Sequence, residues 1–291
     1  MNTGRLPGRL VLVGHPVSHS LSPALQNAAL RAAGIALTYE LLDVAPDALP
    51  DALRRLQVGR AAGNVTRPHK EGVHARCQRL TDVARRVGAV NTFWVDDDGQ
   101  LVGDNTDVAG FDAMAASLGV VAAGCVVACV GSGGAAAAVC AAVERWPGAV
   151  VRLHGRSPER SRALVARFGE RVQRAESLAA AIDGAHVVVN ATPVGLRDAD
   201  VPVDVPVDVP VEVPVEVPVD VASLPRDARV MDLVYRPGET RWVREARAAG
   251  HAAADGREML LHQGAAAFER WFGRSPDLEA MRDALHEAAS G

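Results

Sequence analysis

The chain has 291 residues, 48% of them hydrophobic and 23% charged, enough to bury a large core and long enough for two domains. Its 31 basic and 35 acidic residues leave a net charge of -4, which argues against nucleic acid or an anionic membrane as partner, and its 9 histidines are scattered rather than gathered at metal-ligand spacing. The four cysteines include no C-x-x-C pair, so the expectation is a soluble chain of the reducing cytoplasm with a small-molecule partner and no metal.

In chain order, RLVLVG (9–14) reads as a buried strand, and its LVLV run is too short for the core of a signal peptide, so export is not expected. SPALQNAALRAAG (22–34) reads as a helix closed by glycine, TYELLDV (38–44) as a second strand and PDALPDALRRL (46–56) as a helix, with further helix over 71–86. Strand and helix taking turns point to a layered α/β domain. The middle third repeats the alternation: GCVVACV (124–130) as strand, GGAAAAVCAAVERW (133–146) as helix, AVVRLHG (149–155) as strand and SPERSRALVARFG (157–169) as helix. Then come SLAAAIDG, the strand AHVVVNAT (185–192) and the strand ARVMDLVY (228–235), which together make a second α/β domain with a parallel sheet. Helices dominate from Glu239 to the end, the last run being GREMLLHQGAAAFERWFG.

Two stretches need separate readings. Val121–Val143 carries no charge, the length of a membrane helix, but GSGG interrupts it and alanine drives insertion only weakly, so no membrane span is expected. Val201–Val221 is a four-residue repeat, VPVD or VPVE, with a proline in every unit and five of the chain's acids. Proline at that spacing removes ladder donors and forbids helix, so the repeat is expected to be an extended, polyproline-like surface excursion without chemistry.

Chemistry is legible at two places. VACVGSGGAAAAV puts Gly131, Gly133 and Gly134 where a strand hands over to a helix, a turn at which glycines allow a pyrophosphate to meet free amides and the positive end of the helix. The next strand ends in His154, Gly155, Arg156 and Ser157, with Arg160 beyond. No carboxylate stands there to hold ribose hydroxyls, and guanidinium groups with a hydroxyl suit a 2′-phosphate, which predicts NADP rather than NAD. In the first domain, GHPVSHSLSP (14–23), GNVTRPHK (63–70), AVNTF (89–93) and GDNTD (103–107) are polar segments beside expected strand ends. Ser20, Ser22, Thr66, Asn91 and Asn105 offer neutral hydrogen bonds while Lys70 and Asp107 offer opposite charges, a set that suits a small polyhydroxylated substrate.

With GAVNT, GSGGAA, NATPVGL, DLVY and the closing GREMLLHQGAAAFERW, these segments follow in order, over nearly the whole chain, the motifs of the shikimate dehydrogenase family, which this sequence resembles. The resemblance implies an oxidoreductase that carries out the reversible NADPH-dependent reduction of 3-dehydroshikimate to shikimate on the route to aromatic amino acids. It implies an N-terminal substrate domain, residues 1–107 with 256–291, a Rossmann-like dinucleotide domain, residues 108–255, and an active site in the cleft between them. Lys70 and Asp107 would be the catalytic pair. Ser20 and Ser22, helped by Tyr235, would hold the substrate carboxylate, and Thr66, Asn91 and Gln263 its ring hydroxyls. The cofactor would meet Gly131, Ser132, Gly133, Gly134 and Ala135 at the turn, Arg156, Ser157 and Arg160 at the 2′-phosphate, and Thr192, Leu233 and Gly256 elsewhere. Chemistry agrees: hydride delivery to a ketone builds negative charge on oxygen, which Lys70 can stabilise and protonate while Asp107 orients the ammonium.

The sequence departs from the family pattern at Gln26, where histidine is common, at Val108, which replaces a glycine after GDNTD, and at Gly155, where the N-R-T motif has asparagine. PHK also occurs in relatives that accept quinate. The alternatives are therefore a quinate/shikimate dehydrogenase that also uses NAD, and a catalytically silent NADP-binding regulator that should have lost Lys70, Asp107 or Ser20. The expected assembly is a monomer or homodimer.

Overall fold

The apolar run LVLVG forms strand β1 (Leu10–Gly14), buried at every residue, as a strand covered on both faces must be. It pairs in parallel with β2 (Tyr39–Asp43) on one side and β3 (Ala62–Val65) on the other. The computed structural model, which describes residues 6–196 and 217–290, then adds an antiparallel pair, β5 (Thr92–Val95) against β3 and β6 (Leu101–Asp104) against β5, with the two-residue β4 (Arg79–Leu80) at the edge. The order is β2-β1-β3-β5-β6-β4.

The hairpin β5–β6 is a departure from simple strand and helix alternation. Its turn is shaped by Asp96, whose Oδ1 accepts from the amides of Asp98 (3.1 Å) and Gln100 (2.9 Å) around Gly99 at φ +77°. The helical stretch expected over 71–86 is likewise divided, into α3 (Lys70–His74), β4 and α4 (Asp82–Val87). Thr81 starts α4 by accepting from the Ala84 amide (3.1 Å), and Gly88 at φ +73° ends it. Under this sheet Leu49, Leu53 and Leu56 of α2 (Leu49–Val58) pack with Val11, Val13, Val73, Phe93 and Leu101. Helices α1 (Ser22–Ala32), α10 (Gly256–Phe272) and α11 (Leu278–Ser290) complete the unit, and fully buried Trp271 donates its indole N–H to Thr92 Oγ1 (3.1 Å).

The second sheet is parallel throughout: β7 (Val126–Val130), β8 (Val150–His154), β9 (Val172–Arg174), β10 (Val187–Asn190), β11 (Arg229–Asp232) and β12 (Ala253–Ala254), ordered β12-β11-β10-β7-β8-β9. Strands run outward from β7 in one direction and from β10 in the other. The change of direction lies between β7 and β10, the switch point at whose carboxyl ends open α/β sheets hold ligands. The charge-free stretch is β7, the glycine turn and α6 (Gly134–Val143), buried from Ala136 to Val143 inside this layer. Among the described residues no helix is long and apolar enough to cross a membrane.

The chain clusters into two compact units, residues 1–113 with 259–291 and residues 114–258, the divisions lying within α5 (Asp107–Ser117) and α10. One expectation changes. The repeat 201–221 lies mostly outside the described residues, but its end is no surface excursion: Val219 is 1% exposed, and Val217 and Val221 pack against the same cluster, with Trp242, Val243 and Val230. In an extended chain alternate residues share a face, so valine at odd positions gives that segment an apolar side to bury. The cysteines behave as small hydrophobes, with burial pushing the Cys77 thiol up to about 12 and Cys125 to about 11.

Candidate active site

Lys70 opens α3 directly after His69, a buried histidine whose Nε2 lies 2.6 Å from the Val44 carbonyl. The Lys70 carbonyl accepts from the Val90 amide (2.9 Å), so the backbone under the side chain is held on both flanks. Asp107 opens α5, where the helix N-terminus favours a carboxylate. Its amide donates to Asn105 Oδ1 (3.2 Å), and Asn105 Nδ2 donates to the Ala89 carbonyl (2.9 Å). Behind it the buried Asp104 accepts from the Asn105 amide (2.7 Å), from Arg270 Nε (2.7 Å) and from the Thr81 hydroxyl.

This scaffold places Lys70 Nζ 2.5 Å from Asp107 Oδ2, with the lysine side chain 24% exposed and the aspartate 8%. The other aspartate oxygen, Oδ1, accepts from Asn91 Nδ2 (2.8 Å). Asn91 is the hub: the same nitrogen faces Thr106 Oγ1 (2.9 Å) and Gln263 Oε1 (3.2 Å), while its Oδ1 accepts from the Thr106 amide (2.6 Å). One NH₂ carries two protons, so three acceptors share them and one bond can be exchanged for a ligand oxygen. Asn91 and Gln263 thus join the lysine pair. Thr106 has no role in the sequence reading although it stands within GDNTD, and it is the clamp that orients Asn91.

Thr66 directly follows β3, Ser20 lies in the loop between β1 and α1, and Ser22 opens α1. The Ser22 amide donates to Ser20 Oγ (3.2 Å), and the Thr66 amide to the Val13 carbonyl (2.8 Å). Among the described residues no hydrogen bond joins these three to Lys70 or Asp107. Tyr235 belongs to the other unit, beyond β11. Gln26 ties α1 to α10 through Nε2 and the Gly264 carbonyl (2.9 Å), and Val108 is buried in α5.

In the second unit the turn after β7 is shaped by missing side chains. Gly131 has φ +122°, and a Cβ there would stand 2.6 Å from the Ala191 carbonyl oxygen, so only glycine fits. Gly133 and Gly134 would extend a Cβ into open space, and Gly133 begins α6 without a side-chain cap or an acid in the first turn. The helix amides are therefore open to an anion, and the turn suits a pyrophosphate. Ser132 and Ala135 flank these glycines and are half-buried.

At the end of β8, Arg156 and Arg160 are exposed and make no ion pair among the described residues. Ser157 has a second role that the sequence reading does not assign: its Oγ accepts from the Arg160 amide (3.3 Å) and caps α7 (Pro158–Phe168). A Cβ at Gly155 would lie 2.9 Å from Ser132 Oγ, so the serine leans into the room a larger residue would take. Thr192 is tied to Asn190, its hydroxyl donating to Oδ1 (2.6 Å). Gly256 is glycine for packing, since a Cβ would stand 2.5 Å from the Leu233 carbonyl. The carboxyl of Asp232, fully buried at the end of β11, is pushed up to about 6 by burial, an effect partly offset by the Thr240 hydroxyl, the Val234 amide and Asn190, and increased by Asp255. Among the described residues no group of three or more His, Cys, Asp or Glu could hold a metal ion.

Comparison with known proteins gives this geometry a family. Residues 12–93 match the shikimate dehydrogenase substrate binding domain and residues 256–286 the shikimate 5′-dehydrogenase C-terminal domain. A shikimate dehydrogenase (NADP(+)) of Rubrobacter xylanophilus is 43% identical over 98% of this chain and 99% of its own, and one of Symbiobacterium thermophilum 40% identical over 100% and 98%. The crystal structure of shikimate 5-dehydrogenase from Thermus thermophilus, in complex with NADP(H) and shikimate, superposes with a TM-score of 0.82 at 36% identity, covering 98% of this chain and 100% of that one. Likeness of that degree over nearly the whole length of both chains means that this chain belongs to the shikimate dehydrogenase family.

Proposed function

We propose that this chain catalyses the reversible NADPH-dependent reduction of 3-dehydroshikimate to shikimate, a step toward aromatic amino acids. The observation that carries the reading is the 2.5 Å contact of Lys70 with Asp107, braced from behind by Asn91. Residues 1–113 with 259–291 form the substrate unit and residues 114–258 the dinucleotide unit. NADPH, when bound, supplies the hydride.

Lys70 gives its proton to the substrate oxygen as negative charge develops there, and in the oxidative direction takes a proton from the hydroxyl. Asp107 holds the ammonium where that transfer can occur. Its second oxygen and the amides of Asn91 and Gln263 receive ring hydroxyls in exchange for the bonds they make to one another. Ser20 and Ser22, with Tyr235, hold the carboxylate, and Thr66 a ring hydroxyl. In the dinucleotide unit, the open amides at Gly133 and Gly134 receive the pyrophosphate, with Ser132 and Ala135 beside it, and Arg156, Ser157 and Arg160 face the 2′-phosphate. Thr192, Leu233 and Gly256 line the remainder. The protein acts in the cytoplasm as a monomer or homodimer on a small molecule.

A second reading rests on Gly155 and Ser157. With no side chain at the first and the hydroxyl oxygen of the second occupied by the cap, the grip on a 2′-phosphate rests mainly on two exposed arginines, which favours some use of NAD. The decisive assay is oxidation of shikimate followed by absorbance of the reduced nicotinamide, with NADP and NAD compared and quinate as alternative substrate. Rapid turnover of shikimate with NADP is expected. No turnover with any of these pairs would sink the reading and favour a silent cofactor-binding regulator, against which stand the intact Lys70, Asp107 and Ser20.

A further inference from the structure

At the carboxyl ends of β10 and β11 a buried polar network ties together two loops, and neither of its central residues has a part in the proposed chemistry. Asn190, fully buried at the end of β10, uses all its capacity: Nδ2 donates to Asp232 Oδ1 (2.8 Å) and to the Val194 carbonyl (3.0 Å), while Oδ1 accepts from the Thr192 amide (3.0 Å) and hydroxyl (2.6 Å). The Thr192 hydroxyl accepts in turn from the Val194 amide (3.2 Å). Asp232, also fully buried, takes the Val234 amide on the same Oδ1 (3.1 Å), and its Oδ2 has no partner of good hydrogen-bond geometry among the described residues.

Burying a carboxylate with one oxygen so poorly served is costly, and the fold would be cheaper with an apolar residue there. What the network does is shape the loop Ala191–Gly195. That loop borders the glycine turn, because the Ala191 carbonyl oxygen lies 2.6 Å from where a Gly131 Cβ would stand. A shift of Ala191 therefore moves the wall against which the turn into α6 is set, at the switch point of the sheet.

We propose that Asp232 is a positioning residue for the dinucleotide: through Asn190 it holds Ala191–Val194 in the shape that sets the glycine turn, and so sets cofactor affinity. The inference rests on the reading that this unit binds NADP. Asp232→Asn retains a carbonyl oxygen able to accept from Asn190 and Val234, whereas Asp232→Ala removes it.

The test is calorimetric titration of the full-length chain with NADP⁺ alone, alongside the melting temperature without ligand. Asp232→Ala should weaken NADP⁺ binding about tenfold, the scale of leaving one buried amide unsatisfied, with the KM for shikimate unchanged at saturating NADP⁺. Asp232→Asn should restore affinity to within about threefold of the wild type, the scale of small residual differences in hydrogen-bond quality. If the alanine variant does not fold, Asn190→Ser, which shortens the link but keeps a hydroxyl, should give the same selective loss. Wild-type affinity in Asp232→Ala, or in Asn190→Ser where that replaces it, overturns the inference. So does equal weakening in Asp232→Ala and Asp232→Asn. A wild-type chain that binds neither NADP⁺ nor NAD⁺ would instead remove the underlying functional reading.

Discussion

In the first unit the segments after β3 and β6 carry Lys70 and Asp107, bonded to each other, and Asn91, just before β5, is bonded to Asp107, whereas the loop after β7 in the second unit carries glycines and bare helix amides. Lys70, Asp107 and the glycines follow the carboxyl ends of their strands. One region is preorganised by polar contacts that a substrate must partly replace, the other by the absence of atoms that a cofactor would meet. The difference predicts different failures: in the first unit a lost side chain removes chemistry, and in the second an added one removes binding.

The sharpest break should come at Lys70. Lys70→Ala leaves the second unit intact, so NADP⁺ affinity should stay within about twofold while kcat falls by about 10²–10⁴, the range for removing a general acid. Stopped-flow and equilibrium titration read the two quantities separately. An unchanged kcat would take Lys70 out of the mechanism.

Asp232 gives the second unit a pH-dependent contribution to stability. Its carboxyl, ordinarily near 3.8, is pushed up to about 6, so between these values the folded chain holds a proton that the unfolded chain has lost. Stability should therefore fall as pH rises through that window, by about 3 kcal/mol in all, and level off above it. Denaturant titrations at several pH values should give a smaller fall for Asp232→Asn than for the wild type. A parallel course for the two proteins would mean the buried carboxyl does not titrate there.

Gly131→Ala tests the second unit more directly. A methyl 2.6 Å from the Ala191 carbonyl, on a backbone at φ +122°, should cost about 1–3 kcal/mol and weaken NADP⁺ at least tenfold, leaving shikimate binding alone. Equal affinity in the variant would show that the turn tolerates displacement.

The sequence carries the parts of this comparison unevenly. Lys70, Asp107 and Asn91 can be named because polar residues at expected strand ends stand out against apolar runs, whereas Gln263, inside a helical run, is named only through the family resemblance, and its contact with Asn91 is seen only in the fold. The glycine turn is legible because its spacing is local. What escapes is non-local or double-purpose. Asn190 meets Asp232 across 42 positions, with no periodicity to announce the pair. Thr106 looks like a turn residue and acts through Asn91, and the hairpin β5–β6 is built from strands too short to stand out by pattern. Val219 sits in a repeat whose prolines suggest exposure, while the alternation of its valines carries the opposite signal.

Ser157 carries the smallest expected effect and the finest test of the cofactor reading. Its hydroxyl oxygen accepts from the Arg160 amide to cap α7, which leaves the hydroxyl proton free to donate to a phosphate oxygen. Ser157→Ala should thus cost about 1 kcal/mol of stability through the cap, whatever is bound. If the same hydroxyl also donates to the 2′-phosphate, NADP⁺ affinity should fall about threefold to tenfold, the worth of one hydrogen bond of about 1 kcal/mol, while NAD⁺ affinity stays unchanged. Titrating both cofactors against the variant reads the two duties apart. Equal changes for NADP⁺ and NAD⁺ would confine Ser157 to the cap and leave selectivity to Arg156 and Arg160 alone, where two exposed side chains give a discrimination that salt should weaken.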